Sequence, residues 1–365
     1  MEKLKNILAS LSTHIPDSMS ESYDNTGLLI GSDDMEVHKV LVAYEITNEV
    51  IDEAISLGCQ VILTHHPLIF KPLKKITGQN EVQRMVKRMI KSGLAHIAVH
   101  TNVDNIVSGL NKSLSDQIGL TNFRILKSGK DRLFSLVVFV PKGDFEKVEQ
   151  SIFKAGAGHI GKYSHCGYSV DGKGSFLPLE GSNPAIGQLG QLERVDEKRL
   201  EVIVPGRKLT SVLSAMKKAH PYEEVAHFII PLENVDPESG SGGLGELSQA
   251  MDFDDFIVHL KSVLNLKSIK ISVKHPEKIQ KVAICGGSGS FLIQEAKASG
   301  ADVFITADVK YHDFFEADDS FGIIDPGHYE SEIMIVNEFA KFLEKNFHTF
   351  AVLLSKVNTN PAITI

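Results

Sequence analysis

A stretch with strand–helix–strand character occurs twice in the chain, and this repetition limits the fold more than any other feature. Residues 39–66 and 281–308 align without a gap, and each contains an apolar run, an amphipathic run, a glycine and a second apolar run. Gly58 and Gly300 are equivalent in the two copies, where a left-handed backbone would end each helix. Convergence on a common α/β pattern is the alternative, but we favour two related α/β halves of one domain.

Each copy is followed by a further helical stretch and a further strand-like run. Parallel strands joined by helices place their carboxyl ends at one edge of a sheet, and open α/β sheets bind their ligands there. We therefore expect the four strand ends to lie in one sheet and to carry the functional residues.

The residues between the two copies follow a different pattern. Residues 126–232 alternate strand, helix, strand, helix and strand, which is typical of a small ferredoxin-like α/β domain. The glycine-rich, acidic segment 233–247 is interpreted as an exit linker. We predict that residues 1–125 and 233–365 form a discontinuous α/β domain and that residues 126–232 form an inserted domain.

Two adjacent histidines end the second strand of the first copy. His65 and His66 follow an apolar run and precede Pro67, which stops the strand. Neighbouring strand residues point in opposite directions, so the two imidazoles can bind two different ions. Neutral imidazole is a common ligand of zinc, iron, copper and nickel.

Carboxylates and a third histidine follow two other strand ends. Asp104 comes just after the run 95–99, and His328 and Glu332 lie four residues apart on one face of a predicted helix. A single histidine or an HxxxE pair is a weak signal, because most such residues are ordinary surface or core residues. Together with the histidine pair, these residues suit a cleft for two divalent ions with open positions for water. Zinc, iron and manganese all accept such ligands.

Other polar residues near the strand ends are candidates for proton transfer. His312 follows the fourth strand end, which aligns with the histidine pair of the first copy, and it is our first candidate for moving a proton. His100 and Glu330 are the second and third candidates.

A glycine-rich segment is a candidate for nucleotide binding. Gly286, Gly287, Ser288 and Gly289 follow a strand and precede a helix, so their backbone amides could hold a phosphate. The segment lacks the lysine of a phosphate-binding loop and the full GxGxxG spacing. A tight strand-to-helix turn is the alternative.

The composition limits the cellular context of the protein. Cys59, Cys166 and Cys285 are far apart and form no CxxC pair, which suits a reducing cytosol and excludes a thiolate zinc ribbon. The net charge of −8 argues against a general nucleic-acid-binding face. No uncharged apolar run reaches the length of a membrane span, and the charged first residues do not resemble a signal peptide. We therefore expect a cytoplasmic protein without a membrane segment.

Several stretches resemble a known family over nearly the whole chain. They are residues 22–31 (SYDNTGLLIG), 64–70 (THHPLIF), 100–104 (HTNVD), 109–111 (GLN) and 327–332 (GHYESE). These motifs are similar to those of the GTP cyclohydrolase 1 type 2 and NGG-interacting-factor-three-like family of dinuclear-metal proteins.

The resemblance has implications for the site, the assembly and the activity. The family's metal ligands match the set derived above, namely His65, His66, Asp104, His328 and Glu332. The resemblance also implies a homohexamer and an inserted domain of PII or CutA type, which the stretch 219–224 (AHPYEE) supports. By the same resemblance, the substrate of the protein would be GTP, and its purine ring would be opened with release of formate. Tyr23, Glu45 and Ala307 depart from the residues common in the family, and the last two bear on substrate specificity.

Three functions are consistent with these observations. The leading hypothesis is a dinuclear metal-dependent hydrolase that acts on a small molecule such as GTP. The second is a metal-binding regulatory or sensor protein that does not turn over GTP. The third is a ring-shaped protein associated with nucleic acid, which the acidic charge disfavours.

Overall fold

The computed structural model describes residues 1–129 and 131–363, which divide into two compact units. The main unit contains Met1–Gly129 and Pro237–Ile365, and the inserted unit is Lys130–Asp236. The strands are β1 (Glu2–Lys3), β2 (Gly27–Ile30), β3 (Glu36–Val37), β4 (Lys39–Ala43), β5 (Val61–Thr64), β6 (Ala95–Ala98), β7 (Thr121–Ser128), β8 (Arg132–Pro141), β9 (Gly167–Phe176), β10 (Glu193–Pro205), β11 (His227–Val235), β12 (Gly240–Asp252), β13 (Lys270–Ile271), β14 (Lys278–Ser288), β15 (Val303–Ala307), β16 (Gly322–Asp325) and β17 (Ala351–Leu354).

Helices connect most of these strands. They are α1 (Leu4–His14), α2 (Asn48–Leu57), α3 (Glu81–Lys91), α4 (Thr101–Asp104), α5 (Leu110–Ile118), α6 (Phe145–Lys154), α7 (Gly206–Ala219), α8 (Phe253–Val263), α9 (Ile293–Ala298), α10 (His328–Glu332) and α11 (Ile335–Asn346). Short 3-10 helices lie at Asp17–Met19, Lys142–Asp144, Ser290–Leu292 and Asp313–Glu316. Among the residues described, no helix is both long enough and apolar enough to cross a membrane.

The first copy of the repeat forms the centre of a five-stranded sheet. Its strand order is β17-β4-β5-β6-β2, in which β2 alone is antiparallel to its neighbour. All four residues of β5 and of β6 are buried, because hydrophobic clusters cover both faces of the sheet. Strands buried on both faces have continuous apolar sequences, which is the pattern seen in the first copy.

The second copy forms the centre of a separate six-stranded sheet. Its order is β13-β16-β15-β14-β12-β7, and β14, β15 and β16 are parallel. The expectation of a single sheet is therefore wrong, because each copy pairs with its own neighbouring strands. Periodicity shows that a strand is buried but not which strands it pairs with. Gly58 (φ 67°) and Gly300 (φ 72°) are both left-handed, as predicted.

The inserted unit contains one antiparallel sheet of order β11-β8-β10-β9. Helices α6 and α7 pack on one face of this sheet through a core that includes Leu136, Val138, Leu200, Val202 and Met216. The unit begins and ends about four residues later than the sequence predicts, because β7 belongs to the main unit and β11 continues to Val235.

The predicted linker 233–247 is largely strand. Residues 233–235 belong to β11 and residues 240–247 to β12. A Cβ at Gly243 would overlap the Phe123 ring on the adjacent strand β7. The glycines of this segment therefore allow close packing within a sheet, where the sequence pattern indicated a flexible connection.

Candidate metal centre

The histidine pair lies at the end of β5 and is fixed by hydrogen bonds. His65 is fully buried, and its Nδ1 lies 2.9 Å from the Val99 carbonyl oxygen, which leaves Nε2 available to a ligand. The Thr64 hydroxyl donates to the His66 carbonyl oxygen (2.6 Å) and lies 2.8 Å from His96 Nε2. The bond to Val99 fixes the His65 imidazole, and the bond from Thr64 holds the backbone of His66 at the strand end.

The Glu332 carboxylate lies among three imidazoles. Helix α10 begins at His328 and ends at Glu332, so both side chains come from one helical turn. Glu332 Oε2 lies 3.5 Å from His65 Nε2, 3.5 Å from His66 Nε2 and 3.2 Å from His328 Nε2. The Tyr44 hydroxyl donates to the same oxygen at 2.7 Å. The two sheets thus contribute to one cluster in the main unit.

Asp104 completes the set of predicted ligands. It is the last residue of α4, and its Oδ1 lies 3.8 Å from His65 Nε2. The Asn111 side-chain amide donates to the Asp104 carbonyl oxygen at 3.1 Å and holds this turn in place. All five side chains predicted from the strand ends are therefore close together.

Several atoms of this cluster are buried without a hydrogen-bond partner among the residues described. They are His65 Nε2, Asp104 Oδ1 and His328 Nε2. A buried polar atom without a partner costs about 1–3 kcal/mol, so such atoms are uncommon unless a ligand satisfies them. Imidazole nitrogens and carboxylate oxygens are ligands for zinc, iron and manganese. This donor set fits a divalent metal ion.

Opposite charges stabilise the cluster in the absence of metal. Burial opposes ionisation of Glu332, but the surrounding imidazoles hold its pKa well below the usual range. Burial and the charge of Glu332 together raise the pKa of Asp104. Burial also disfavours protonation of His66 and His328, yet the carboxylate of Glu332 raises their pKa values to about 10 and about 9. Burial lowers the pKa of His65. A metal ion that binds to these residues must therefore displace protons.

His100 belongs to the cluster as well. The ligand atoms of His65, His66 and His100 lie within 4.8 Å of one another, and those of His66, His328 and Glu332 form a second such group. His66 is common to both groups.

Two carboxylates outside the predicted ligand set orient the histidines. Asp24 Oδ1 lies 2.8 Å from His100 Nδ1, and the Asp24 side chain is fully buried. Asp308 Oδ2 lies 2.7 Å from His328 Nδ1, and Asp308 has a positive φ of 55°, which is uncommon for a residue with a side chain. The motif 22–31 and the repeat each contained one of these residues, but neither pattern revealed its partner.

His312 and Glu330 do not join the cluster. His312 is exposed and its ring packs with Tyr311 and Phe315, with centroid distances of 5.2 and 6.3 Å. Glu330 Oε1 accepts a hydrogen bond from the Asn360 side chain at 2.9 Å. The proposed proton-transfer role therefore has geometric support for His100 alone, because the segment after β15 leaves His312 at the surface.

The glycine-rich segment does not form a phosphate cradle. The amides of Gly286, Gly287 and Gly289 donate to Asn111 Oδ1 (3.1 Å), Ser331 Oγ (3.0 Å) and Thr306 Oγ1 (2.8 Å). Amides that are already paired cannot hold an anion, and Gly286, Gly287 and Ser288 belong to β14. The phosphate-binding prediction is wrong, because the residues that pair with these amides are distant in sequence.

Gly287 has a different role beside the ligands. Its φ is +62°, and a Cβ at this position would overlap Glu332 Oε1 and lie 3.3 Å from His328 Nε2. Glycine therefore allows β14 to pass directly behind the Glu332 carboxylate.

Comparison with known proteins identifies the family. A model of Duf34/NIF3 (NGG1p interacting factor 3) matches residues 2–361. The chain belongs to the Duf34/NIF3 family. This result confirms the family predicted from the sequence motifs.

Two bacterial relatives show how close the similarity is. The chain is 38% identical over 351 residues to a Halalkalibacterium halodurans protein and 36% identical over 351 residues to a Bacillus subtilis protein. Each match covers 95% of this chain and 94% of the relative. Both relatives carry the name "GTP cyclohydrolase 1 type 2 homolog".

Solved structures of similar proteins share the mixed α/β fold with several sheets. A Bacillus cereus protein related to NIF3 superposes with a TM-score of 0.88 at 37% identity, covering 100% of this chain and 99% of that chain. A Staphylococcus aureus protein gives a TM-score of 0.75 at 29% identity, with the same coverage.

His96 behind the cluster should make the stability of this Duf34/NIF3 protein sensitive to acid. Burial lowers its pKa to about 3, whereas an unfolded histidine titrates near about 6.5. Between these two pH values the unfolded chain binds a proton that the native state does not bind. The free energy of unfolding therefore falls by up to about 1.4 kcal/mol for each unit by which the pH drops. In urea unfolding at pH 6, 5 and 4, His96→Gln should show a shallower loss of stability. Equal slopes for both proteins would contradict this prediction.

Proposed function

We propose that the cluster binds two divalent metal ions and that the protein is a metal-dependent hydrolase of a small polar substrate, with GTP as the first compound to test. The observation that carries the proposal is Glu332, whose Oε2 lies within 3.5 Å of three imidazole nitrogens. His65, His66, Asp104, His328 and Glu332 would hold the ions. Bound ions of this kind lower the pKa of water and stabilise charge that develops on a substrate.

His100 is the residue best placed to hold or move a proton. Asp24 accepts a hydrogen bond from its Nδ1, and Asp24 also bonds to the amide (3.1 Å) and hydroxyl (2.5 Å) of Thr101. These contacts fix the imidazole, and one of its ring nitrogens lies within 4.8 Å of the ligand atoms of His65 and His66. The arrangement resembles a histidine that a carboxylate orients for general acid–base chemistry.

Metal content and turnover test the proposal together. Plasma mass spectrometry on untagged protein should give about two ions per chain, and the same sample should release formate from GTP when zinc, manganese or iron is supplied. Two ions without formate would retain the metal centre and remove GTP as a substrate, which favours another hydrolase activity or the regulatory function. Fewer than one ion per chain at saturating metal would contradict the dinuclear site.

A variant of Asp24 separates proton transfer from metal binding. Asp24→Asn should retain both ions and lower kcat by about 10–100-fold, because its amide cannot stabilise a protonated imidazole as the carboxylate does. The matched control is Asp34→Asn, which removes the same charge from an exposed position. Loss of metal in Asp24→Asn would show that His100 is itself a ligand.

The proposal also covers the relation between the two sheets of the main unit and the oligomeric state of the protein. We infer that the segments β4–β6 and β14–β16, which share one parallel strand order, are related halves. We further infer that the inserted unit is ferredoxin-like and that the protein is a homohexamer, as the family resemblance implies. Light scattering should then give about six times the chain mass of 40.0 kDa.

A further inference from the structure

A cavity of about 610 Å³ lies on the sheet of the inserted unit. Leu200 and Val202 of β10 pack against the helices, whereas Glu197 and Arg199 of the same strand line the cavity. The cavity therefore occupies the face of the sheet that α6 and α7 do not cover. Residues of β9 and of the segments 178–185 and 222–226 form its other walls.

Glu197 is a buried carboxylate in this cavity without a cationic partner. The residue is only 7% exposed, and its Oε1 accepts a hydrogen bond from the Tyr222 hydroxyl at 3.2 Å. Among the described residues, no lysine or arginine forms an ion pair with Glu197. The nearby Arg199 pairs instead with Glu201. A buried carboxylate that lacks a counter-charge is unfavourable unless a ligand supplies one.

Glycines keep the space around this carboxylate open. Gly172 of β9 lies directly opposite Glu197 in the sheet, and nothing lies within 4 Å of the position a Cβ would take there. A Cβ at Gly174 would overlap the Glu197 carboxylate. The two glycines therefore give the side chain of Glu197 room, and they leave the volume in front of it free.

The other walls combine aromatic and apolar side chains with polar and charged ones. Phe176 and Tyr222 meet edge to face with a centroid distance of 5.7 Å, and Phe139 and Pro184 also line the cavity. The segment over the cavity is held by the Asn183 amide, which donates to Glu223. Aromatic faces attract cations as well as apolar groups.

We propose that this cavity binds a small organic cation in which an ammonium group is attached to an aromatic or apolar body. The ammonium group would form an ion pair with Glu197. The carboxylate supplies the charge, the Tyr222 hydroxyl fixes its orientation, and the aromatic walls receive the body of the ligand. The site is separate from the metal-dependent activity proposed above and does not depend on it.

Binding of two matched probes to the full chain tests this site. The probes are 2-phenylethylamine and its neutral analogue 2-phenylethanol, observed by ligand-detected NMR titration. We expect the amine to bind with a Kd of about 1 mM, as small fragments do, and the alcohol to bind about tenfold more weakly. Equal affinities for the two probes, or no binding of the amine, would overturn the proposal.

Two variants and a control locate the binding. Glu197→Gln keeps the shape of the side chain and should weaken the amine about tenfold while leaving the alcohol unchanged. Gly172→Leu should reduce binding of both probes by filling the cavity. This variant keeps Glu197, so it still tests the site if Glu197→Gln does not fold. The control Glu146→Gln removes the same charge from an exposed position on α6, away from the cavity, and should change nothing. Amine binding that survives both cavity variants would contradict this location.

The ammonium could also come from a lysine of a second copy of the chain. In that case 2-phenylethylamine would not bind the assembled protein, and Glu197→Gln would shift the oligomeric state measured by light scattering. That result would overturn the small-molecule site and assign Glu197 to an interface.

Discussion

Replacing Glu332 with glutamine should release most of the bound metal. Its Oε2 is within 3.5 Å of three imidazole nitrogens, so one carboxylate balances three of the histidines in the cluster. Glutamine has a similar shape but no charge, and it leaves His65, His66 and His328 without the carboxylate that balances them. We expect metal affinity to fall by at least about 100-fold, measured by competition with a chromophoric chelator.

The control for this variant lies on the same helix. Glu330→Gln removes an equal charge two residues away, where the carboxylate contacts Asn360 and no predicted ligand. It should retain about two ions per chain. If Glu330→Gln loses metal and Glu332→Gln keeps it, the assignment of ligands on α10 is wrong.

Replacing Gly287 with alanine should have the second largest effect, although the residue is not a ligand. The new Cβ would overlap Glu332 Oε1, and β14 cannot retreat because the Gly287 amide donates to Ser331 and its carbonyl accepts from Thr306. The carboxylate must therefore move away from the imidazoles. The positive φ adds about 1–2 kcal/mol of backbone strain.

A second glycine separates these two effects. Gly58 has a similar φ of +67°, but nothing lies within 4 Å of its Cβ position. Gly58→Ala should therefore lose about 1–2 kcal/mol of unfolding free energy and keep its metal. Gly287→Ala should lose at least as much stability and most of its metal affinity. Equal metal content in the two alanine variants would show that the Gly287 contact does not matter.

The candidate ligands could be located from sequence because each follows a local signal. An apolar run followed by His65, His66 and Pro67 marks a strand end, and the spacing of His328 and Glu332 marks one helix face. The same local reasoning was wrong for His312, which it made the first candidate for proton transfer. The strand end before His312 is correctly located, but the chain after β15 leaves the side chain exposed.

The partners of these residues could not be found in the same way. Asp24 and His100 are separated by 76 residues, and Tyr44 and Glu332 by 288. Neither separation follows a periodicity, because both contacts depend on how loops and sheets pack. The glycine-rich segment shows the same limit, since Asn111, Ser331 and Thr306 pair with its amides from elsewhere in the chain.

The sequence by itself determined the two copies of the repeat, the strand ends and the candidate ligands at them, because burial and helix spacing are encoded over a few residues. The tertiary structure decided that the copies form two sheets, that Asp24 and Asp308 orient His100 and His328, and that Glu197 is buried with no counter-ion among the described residues. These features depend on which distant segments pack together. Packing is a property of the whole fold, and a local pattern does not contain it.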